Sequence, residues 1–333
     1  MTATASSTRM TAVRHRAFGD PARALDVAPA DIPTPGPGQV LVRVAAAGIS
    51  IGDWLVMEGL PYIARPSHGL RRPKRPVLGQ ELAGTVEAVG AGVDSVSPGD
   101  RVLGFAAGAF AEHAVAEAEH LVTVPDGVSF VDAAAVPVSA LAAYQAVVGV
   151  GGTRPGQRVL VLGASGAVGT FAVQVAKATG AHVTAVASSR NQDLLRGLGA
   201  DRVVDYAVED VTATGDTWDV AIDLAGNRPL TALRRALTPT GTAVMVGGSG
   251  GRATMGFGRT VRAMLVNLFV KQRLVPLMSA PDAADLAAVR DLLAEGRLTP
   301  AIDRTFPLDA AAAAMDHVGG RHTQGKSVIV VDA

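Results

Sequence analysis

Val159-Leu160-Val161-Leu162-Gly163-Ala164-Ser165-Gly166-Ala167-Val168-Gly169 reads as a buried strand running into a Gly-x-x-Gly-x-x-Gly turn, and the amphipathic run 170–179 follows it. Strand, tight glycine turn and helix in that order set free backbone N–H groups and the positive end of a helix dipole against an anion, typically a dinucleotide pyrophosphate. A second strand follows at 181–187 and a third at 202–205, after a short helix. In that context the turn predicts a dinucleotide site on Ser165, Gly166, Ala167 and Val168, where three glycines alone would read equally as a bare turn.

Outward from this motif, segments 159–162, 168–178, 183–187, 191–198, 203–205, 220–223, 229–237 and 243–247 alternate between strand and helix periods, and 281–294 adds a helix. Such alternation predicts an α/β unit with a doubly wound parallel sheet. Residues 10–130 differ. Short alternating runs at 40–44, 82–89, 101–103, 109–115 and 120–124, separated by Pro- and Gly-rich turns, have the rhythm of a small irregular barrel. After Gly296 come an extended run, a helix at 308–318 and a strand at 327–331, which either complete the parallel sheet or return to the first unit.

At 333 residues the chain suits two domains. Thirty Lys and Arg balance thirty Asp and Glu, which gives no long-range field for nucleic acid or an anionic membrane. The absence of cysteine excludes disulfides, thiolate metal sites and cysteine nucleophiles. Residues 1–9 lack the apolar core of a signal peptide and read as a disordered tail. The uncharged stretch between Asp132 and Arg154 approaches a membrane span in length, but Pro137, Ser139, Gln145 and several glycines interrupt it, so a buried linking helix is expected. These features predict a cytoplasmic protein acting on a small molecule, without nucleic acid or membrane.

The pieces Pro35-Gly-Pro-Gly-Gln-Val, Leu78-Gly-Gln-Glu-Leu-Ala-Gly84, Pro98-Gly-Asp-Arg-Val102, the glycine turn, Leu198-Gly-Ala-Asp201 with Asp205-Tyr206, and Gly325-Lys-Ser-Val328 occur in order. Together they resemble the medium-chain dehydrogenase/reductase superfamily, and within it the zinc-independent quinone oxidoreductases of the reticulon-interacting-protein-like branch. The resemblance implies a GroES-like β-barrel from 10–131 with 300–333, an inserted Rossmann domain at 132–299, a cleft between them, and a homodimer formed by pairing sheet edges. It implies Tyr206 as an adenine-side contact, and it brings Ser50, Asp53 and Trp54 to the cleft.

In zinc-dependent alcohol dehydrogenases of this superfamily a Cys-His pair falls at Ser50-Ile51 and a Gly-His-Glu at Gly79-Gln80-Glu81. Serine is a poor zinc ligand, isoleucine none, and Glu81 alone cannot hold the ion, so no metal is expected. The second Rossmann strand ends Ser188-Ser189-Arg190, with no carboxylate for a ribose hydroxyl. An arginine there suits a 2′-phosphate and predicts NADPH, although Arg190 also reads as a solvated helix start. Gly226, Val246 and Gly247, with Gly248, end two strands where a nicotinamide approaches backbone.

Ser50 is read as a donor to a developing oxyanion or as a turn cap, and Asp53 as a catalytic or loop-bonding carboxylate. Tyr62 and Tyr144 are candidate proton donors or packing groups. The basic loop 65–75 reads as a lid, an anion trap or a solvated surface, and 255–278 as pocket lining or a subunit contact. The function expected is hydride transfer from NADPH to a quinone or an α,β-unsaturated carbonyl. An enoyl-thioester reductase and a non-catalytic NADPH-binding redox sensor are the alternatives.

Overall fold

The computed structural model describes residues 8–247, 252–254, 256–321 and 323–331. Seven strands come first: β1 (Arg9–His15), β2 (Leu25–Asp31), β3 (Gln39–Ile49), β4 (Glu81–Val89), β5 (Arg101–Phe105), β6 (His113–Glu117) and β7 (Leu121–Thr123). Strands β8 (Arg158–Leu162), β9 (His182–Ala187), β10 (Arg202–Asp205), β11 (Trp218–Asp223), β12 (Leu237–Met245) and β13 (Arg273–Pro276) follow, then β14 (Ile302–Pro307) and β15 (Lys326–Val330). Because β1 opens at Arg9, the expected 1–9 tail is ordered at its end, and residues 1–7 lie outside the described residues.

Strands β8 to β13 form one parallel sheet in the order β10-β9-β8-β11-β12-β13, the doubly wound Rossmann order, with its switch point between β8 and β11. Their near-continuous Val, Leu, Ile and Ala follow from burial on both faces. The other large sheet runs β14-β15-β3-β4-β5-β7, with β6 also on β3. The chain's late strands therefore return to the first unit, β15 antiparallel to β3, as the family likeness implies.

The expected linking helix is three pieces, Phe130–Ala134, Pro137–Tyr144 and a π-turn Gln145–Val150, because Pro137 lacks the N–H that would continue the first. One apolar cluster runs from Ala46, Ala83 and Leu103 of the first sheet through Leu141 to Val159 and Phe171 of the second. The helix expected at 229–237 stops at Arg235, and β12 takes over from Leu237.

Within 255–278, of which Met255 lies outside the described residues, a helix Phe257–Asn267 leads to the edge strand β13. The outer edge of β13 is blunted. Leu274 donates its N–H to Asn267 Oδ1 at 2.9 Å and accepts from Asn267 Nδ2 at 2.9 Å, and Pro276 has no N–H to offer. That edge has little left for the strand pairing expected of a homodimer.

The tail fastens the two units. Gly325 donates its N–H to the carbonyl of Ser165 at 2.9 Å, and Gly325 and Gly166 form a parallel bridge. Gly325 sits at φ +91°, and a Cβ there would lie 2.1 Å from the carbonyl of Ala301. Gly325→Ala should therefore cost about 2 kcal/mol or more, read as a lower midpoint of thermal unfolding. An unchanged midpoint would count against this tail as the fastening.

Candidate functional site

Leu162 of β8 passes into Gly163 at φ +80°, and Gly169 packs so closely that a Cβ would stand 2.4 Å from the Gly163 carbonyl oxygen. These glycines bend the chain so that Gly166 caps the helix Ala167–Ala178 without a side-chain partner. Beyond Gly166 a Cβ would meet nothing nearer than 3.8 Å. Half-buried Ser165, Ala167 and Val168 surround this opening, so the first-turn amides and the open space fit an anion such as a pyrophosphate.

The neighbouring strand ends complete the crevice. Ser188 follows β9 and accepts from Asn191 Nδ2 at 3.1 Å, while Arg190 and Tyr206 are exposed. The Tyr206 N–H donates to the carbonyl of Ala187 at 3.2 Å, which sets the start of the Tyr206 loop beside Ser188. On the other side of the switch point Gly226, Val246 and Gly247 gather around Asp223. Gly226 donates to Asp223 Oδ1 at 2.9 Å, and the amides of Val246 and Gly247 each donate to the Asp223 carbonyl at 3.0 Å. At Gly247 a Cβ would fall 1.9 Å from the Leu224 carbonyl, so only glycine fits. Gly248 lies outside the described residues. Asp223 itself is fully buried and paired with Arg259 at 2.5 Å. Sequence reading passed over it, although an acid closing the apolar run Val220-Ala-Ile is a visible signal.

The substrate side centres on Ser50 and Asp53. The segment read as a loop is a helix, Ile51–Glu58, whose start is a capping box. Asp53 Oδ2 accepts from the Ser50 hydroxyl at 2.7 Å and the Ser50 N–H at 2.9 Å, and Asp53 Oδ1 accepts from Gln80 Nε2 at 3.1 Å. A Cβ built on Gly52 would stand 3.2 Å from both Ser50 Oγ and Gln80 Nε2, so the hydroxyl and the amide converge there. Burial pushes the Asp53 carboxyl up, and its hydrogen bonds oppose the push.

Behind this group lies a second cluster that sequence reading missed. Lys326 Nζ pairs with Glu81 Oε1 and donates to Ser139 Oγ at 3.1 Å, and Glu81 Oε2 accepts from the Val138 N–H at 2.8 Å. Lys326 and Glu81 are both wholly inaccessible to solvent. Burial pushes the Glu81 carboxyl up, against the pull of the Lys326 ammonium.

Other candidates go elsewhere. Tyr62 is 47% exposed, its N–H donates to the Arg252 carbonyl at 3.1 Å and its hydroxyl bonds the Arg252 guanidinium, so it straps 61–64 to 252–253. Trp54 packs its indole against Gly319, and Tyr144 packs on the apolar core.

The residues present do not fit a zinc ion. Ser50 and Gln80 are engaged with Asp53, and the Glu81 carboxylate is held by an ammonium. Among the described residues no three His, Cys, Asp or Glu side chains group as metal ligands.

Replacing Lys326 by Met should leave Glu81 buried without its counter-charge, at a cost of about 3–5 kcal/mol near neutral pH. A carboxyl whose folded pKa lies above its unfolded one stabilises most below the unfolded pKa and loses that contribution as pH rises. Denaturation of the Lys326→Met variant should therefore show stability recovering toward acidic pH, and adding Glu81→Gln should restore it at pH 8. A loss independent of pH would refute the pairing.

Comparisons with known proteins agree with this architecture. Residues 36–126 match the alcohol dehydrogenase GroES-like domain, and 198–329 match the zinc-binding dehydrogenase family. A chloroplastic quinone-oxidoreductase homolog of Spinacia oleracea is 32% identical over 96% of this chain and 98% of its own. The mitochondrial NAD(P)H oxidoreductase RTN4IP1 of Mus musculus is 31% identical over 89% of this chain and 82% of its own. The solved quinone oxidoreductase of Coxiella burnetii superposes with a TM-score of 0.85 at 28% identity, covering 97% and 99% of the two chains. With its parallel sheet, glycine turn and returning strands matched from end to end, the chain belongs to the medium-chain dehydrogenase/reductase superfamily, among its quinone-oxidoreductase homologues, as an NAD(P)H-dependent reductase.

Proposed function

We propose that the protein is a metal-independent, NADPH-preferring reductase of quinones or α,β-unsaturated carbonyls. Its reaction site is a cleft between a barrel built from 10–131 with 300–333 and a nucleotide unit at 132–299. The observation that carries this reading is the pair of donors, Ser50 Oγ and Gln80 Nε2, converging beside Gly52 with Asp53 behind them. When bound, the reduced nicotinamide supplies the hydride. The chain's part is to receive the charge that develops on the acceptor.

Gln80 has two N–H bonds, one directed to Asp53, which leaves the other for a substrate oxygen. Ser50 offers its hydroxyl at the same point. Two such donors, fixed by a capping box in a nearly dry pocket, need little reorganisation to stabilise an oxyanion. They suit an acceptor that is already electrophilic. An alcohol would need a Lewis acid to give up its proton, and the carboxylate that could serve one is held by Lys326.

On the cofactor side we assign Ser165, Gly166, Ala167 and Val168 to the pyrophosphate, Ser188 and Arg190 to the 2′-phosphate, and Tyr206 to the adenine. Gly226, Val246 and Gly247 are assigned to the nicotinamide. The absence of a carboxylate after β9 supports NADPH over NADH.

Replacing Arg190 by Asp should raise the Kd for NADPH at least about tenfold more than that for NADH, read by fluorescence titration. An equal loss for both would remove Arg190 from the phosphate site. Ser50→Ala should lower kcat about tenfold to a hundredfold with a quinone acceptor, leave NADPH affinity unchanged, and respond to chelator no more than the wild type does, which is not at all. Loss of wild-type activity on chelation would overturn the metal-independent reading.

A further inference from the structure

Thirty basic and thirty acidic residues cancel in the sum but are segregated along the chain. Residues 59–80 and 224–281 hold thirteen of the basic residues and none of the acidic ones. The two stretches meet in space, through the backbone bonds from Tyr62 to Arg252 and from Ile63 to Ala253. Arg71, Arg72, Arg262, Lys271 and Arg273 are exposed on them, and none is in an ion pair among the described residues.

The same surface is apolar where water should make it polar. The helix Phe257–Asn267 buries only Ala263. Phe257, Val261, Met264, Leu265 and Leu268 fall on one stripe at helical spacing, and that stripe faces outward, with Leu268 at 74% and the following Phe269 at 85% exposure. On the adjoining loop Leu70 is 71% exposed. Beside the helix, a cavity of about 470 Å³ is lined by Arg228, Arg234, Arg259 and Arg262. Arg228 and Arg259 are neutralised by Asp210 and Asp223, whereas Arg234 bonds only the neutral Gln272 and Arg262 has no acidic partner among the described residues.

We propose that this face docks the protein on an anionic lipid surface. The Phe257–Phe269 stripe enters the headgroup–acyl boundary, and the surrounding Arg and Lys side chains lie at the level of the lipid phosphates. A helix with large apolar groups on one side, cations beside them and no acids nearby is built for an interface between oil and negative charge. A second copy of the chain is a poor occupant. Two such faces would bring like charges together, and the adjoining edge of β13 is already closed by Asn267. No helix among the described residues is long and apolar enough to cross a membrane, so the contact is peripheral. Cancelled net charge had argued against a membrane, and the segregation reverses that argument.

The test is co-sedimentation of the full chain with vesicles of phosphatidylcholine alone and of phosphatidylcholine with phosphatidylserine. Binding should appear only with the anionic vesicles and should fall as salt is raised from about 0.1 to 1 M, where the screening length shrinks from about 10 to 3 Å. The double variant Leu268→Glu, Phe269→Glu should bind at least about tenfold more weakly, with unchanged circular dichroism and unchanged NADPH consumption on a water-soluble quinone. Three results would each overturn the proposal. They are no binding to either vesicle, equal binding by the double variant, or a wild-type dimer that this variant converts to monomer.

Discussion

A buried ammonium facing a buried carboxylate organises the molecule. Lys326 and Glu81 lie 245 positions apart in sequence, and neither charge is tolerable in a dry interior without the other. Their meeting fixes β15 against β4. Through Ser139 and the Val138 amide it also fixes the helix Pro137–Tyr144, which passes from one sheet to the other. One residue earlier, Gly325 holds the phosphate-binding turn through Ser165. The spacing between the nucleotide crevice and the Ser50–Gln80 donors is thus set by one strand and its neighbouring backbone bond, with no flexible connection between.

The same pair gives the site its chemical character. In a zinc-dependent relative of this fold the equivalent carboxylate stands beside a metal. Here it faces an amine that cannot polarise a substrate oxygen from where it sits, walled off behind Gly48, whose own Cβ would lie 2.7 Å from Glu81 Cδ. The work of meeting negative charge falls to neutral donors, a hydroxyl and an amide. Their strength depends on being held still in a place that water does not reach.

The nucleotide half was legible in the sequence because its determinants are local. The glycine spacing at 163–169 dictates the turn, and runs such as Val159 to Leu162 announce strands buried on both faces. The substrate half was less so. Ser50 as a helix cap is a local pattern, Ser-x-x-Asp, yet it was read as loop because Gly52 and the short helix weaken the period. The Lys326–Glu81 contact has no local signal, since nothing near either residue names its partner. Tyr62 was misassigned for the same reason, its hydroxyl meeting an arginine 190 positions away. The outward stripe on 257–268 has ordinary helical period, and no periodicity tells which side of a helix faces water.

The return of β14 and β15 to the first sheet also orders events at the ribosome. Synthesis runs from the N-terminus, so β3 emerges early but cannot receive β15 until residue 330 has been made. The inserted nucleotide unit, whose six strands are contiguous in sequence, can close around its own core well before that. The part translated first is therefore the part completed last. For most of its synthesis it shows the cell the bare flank of β3, a sheet margin of the kind that holding chaperones cover.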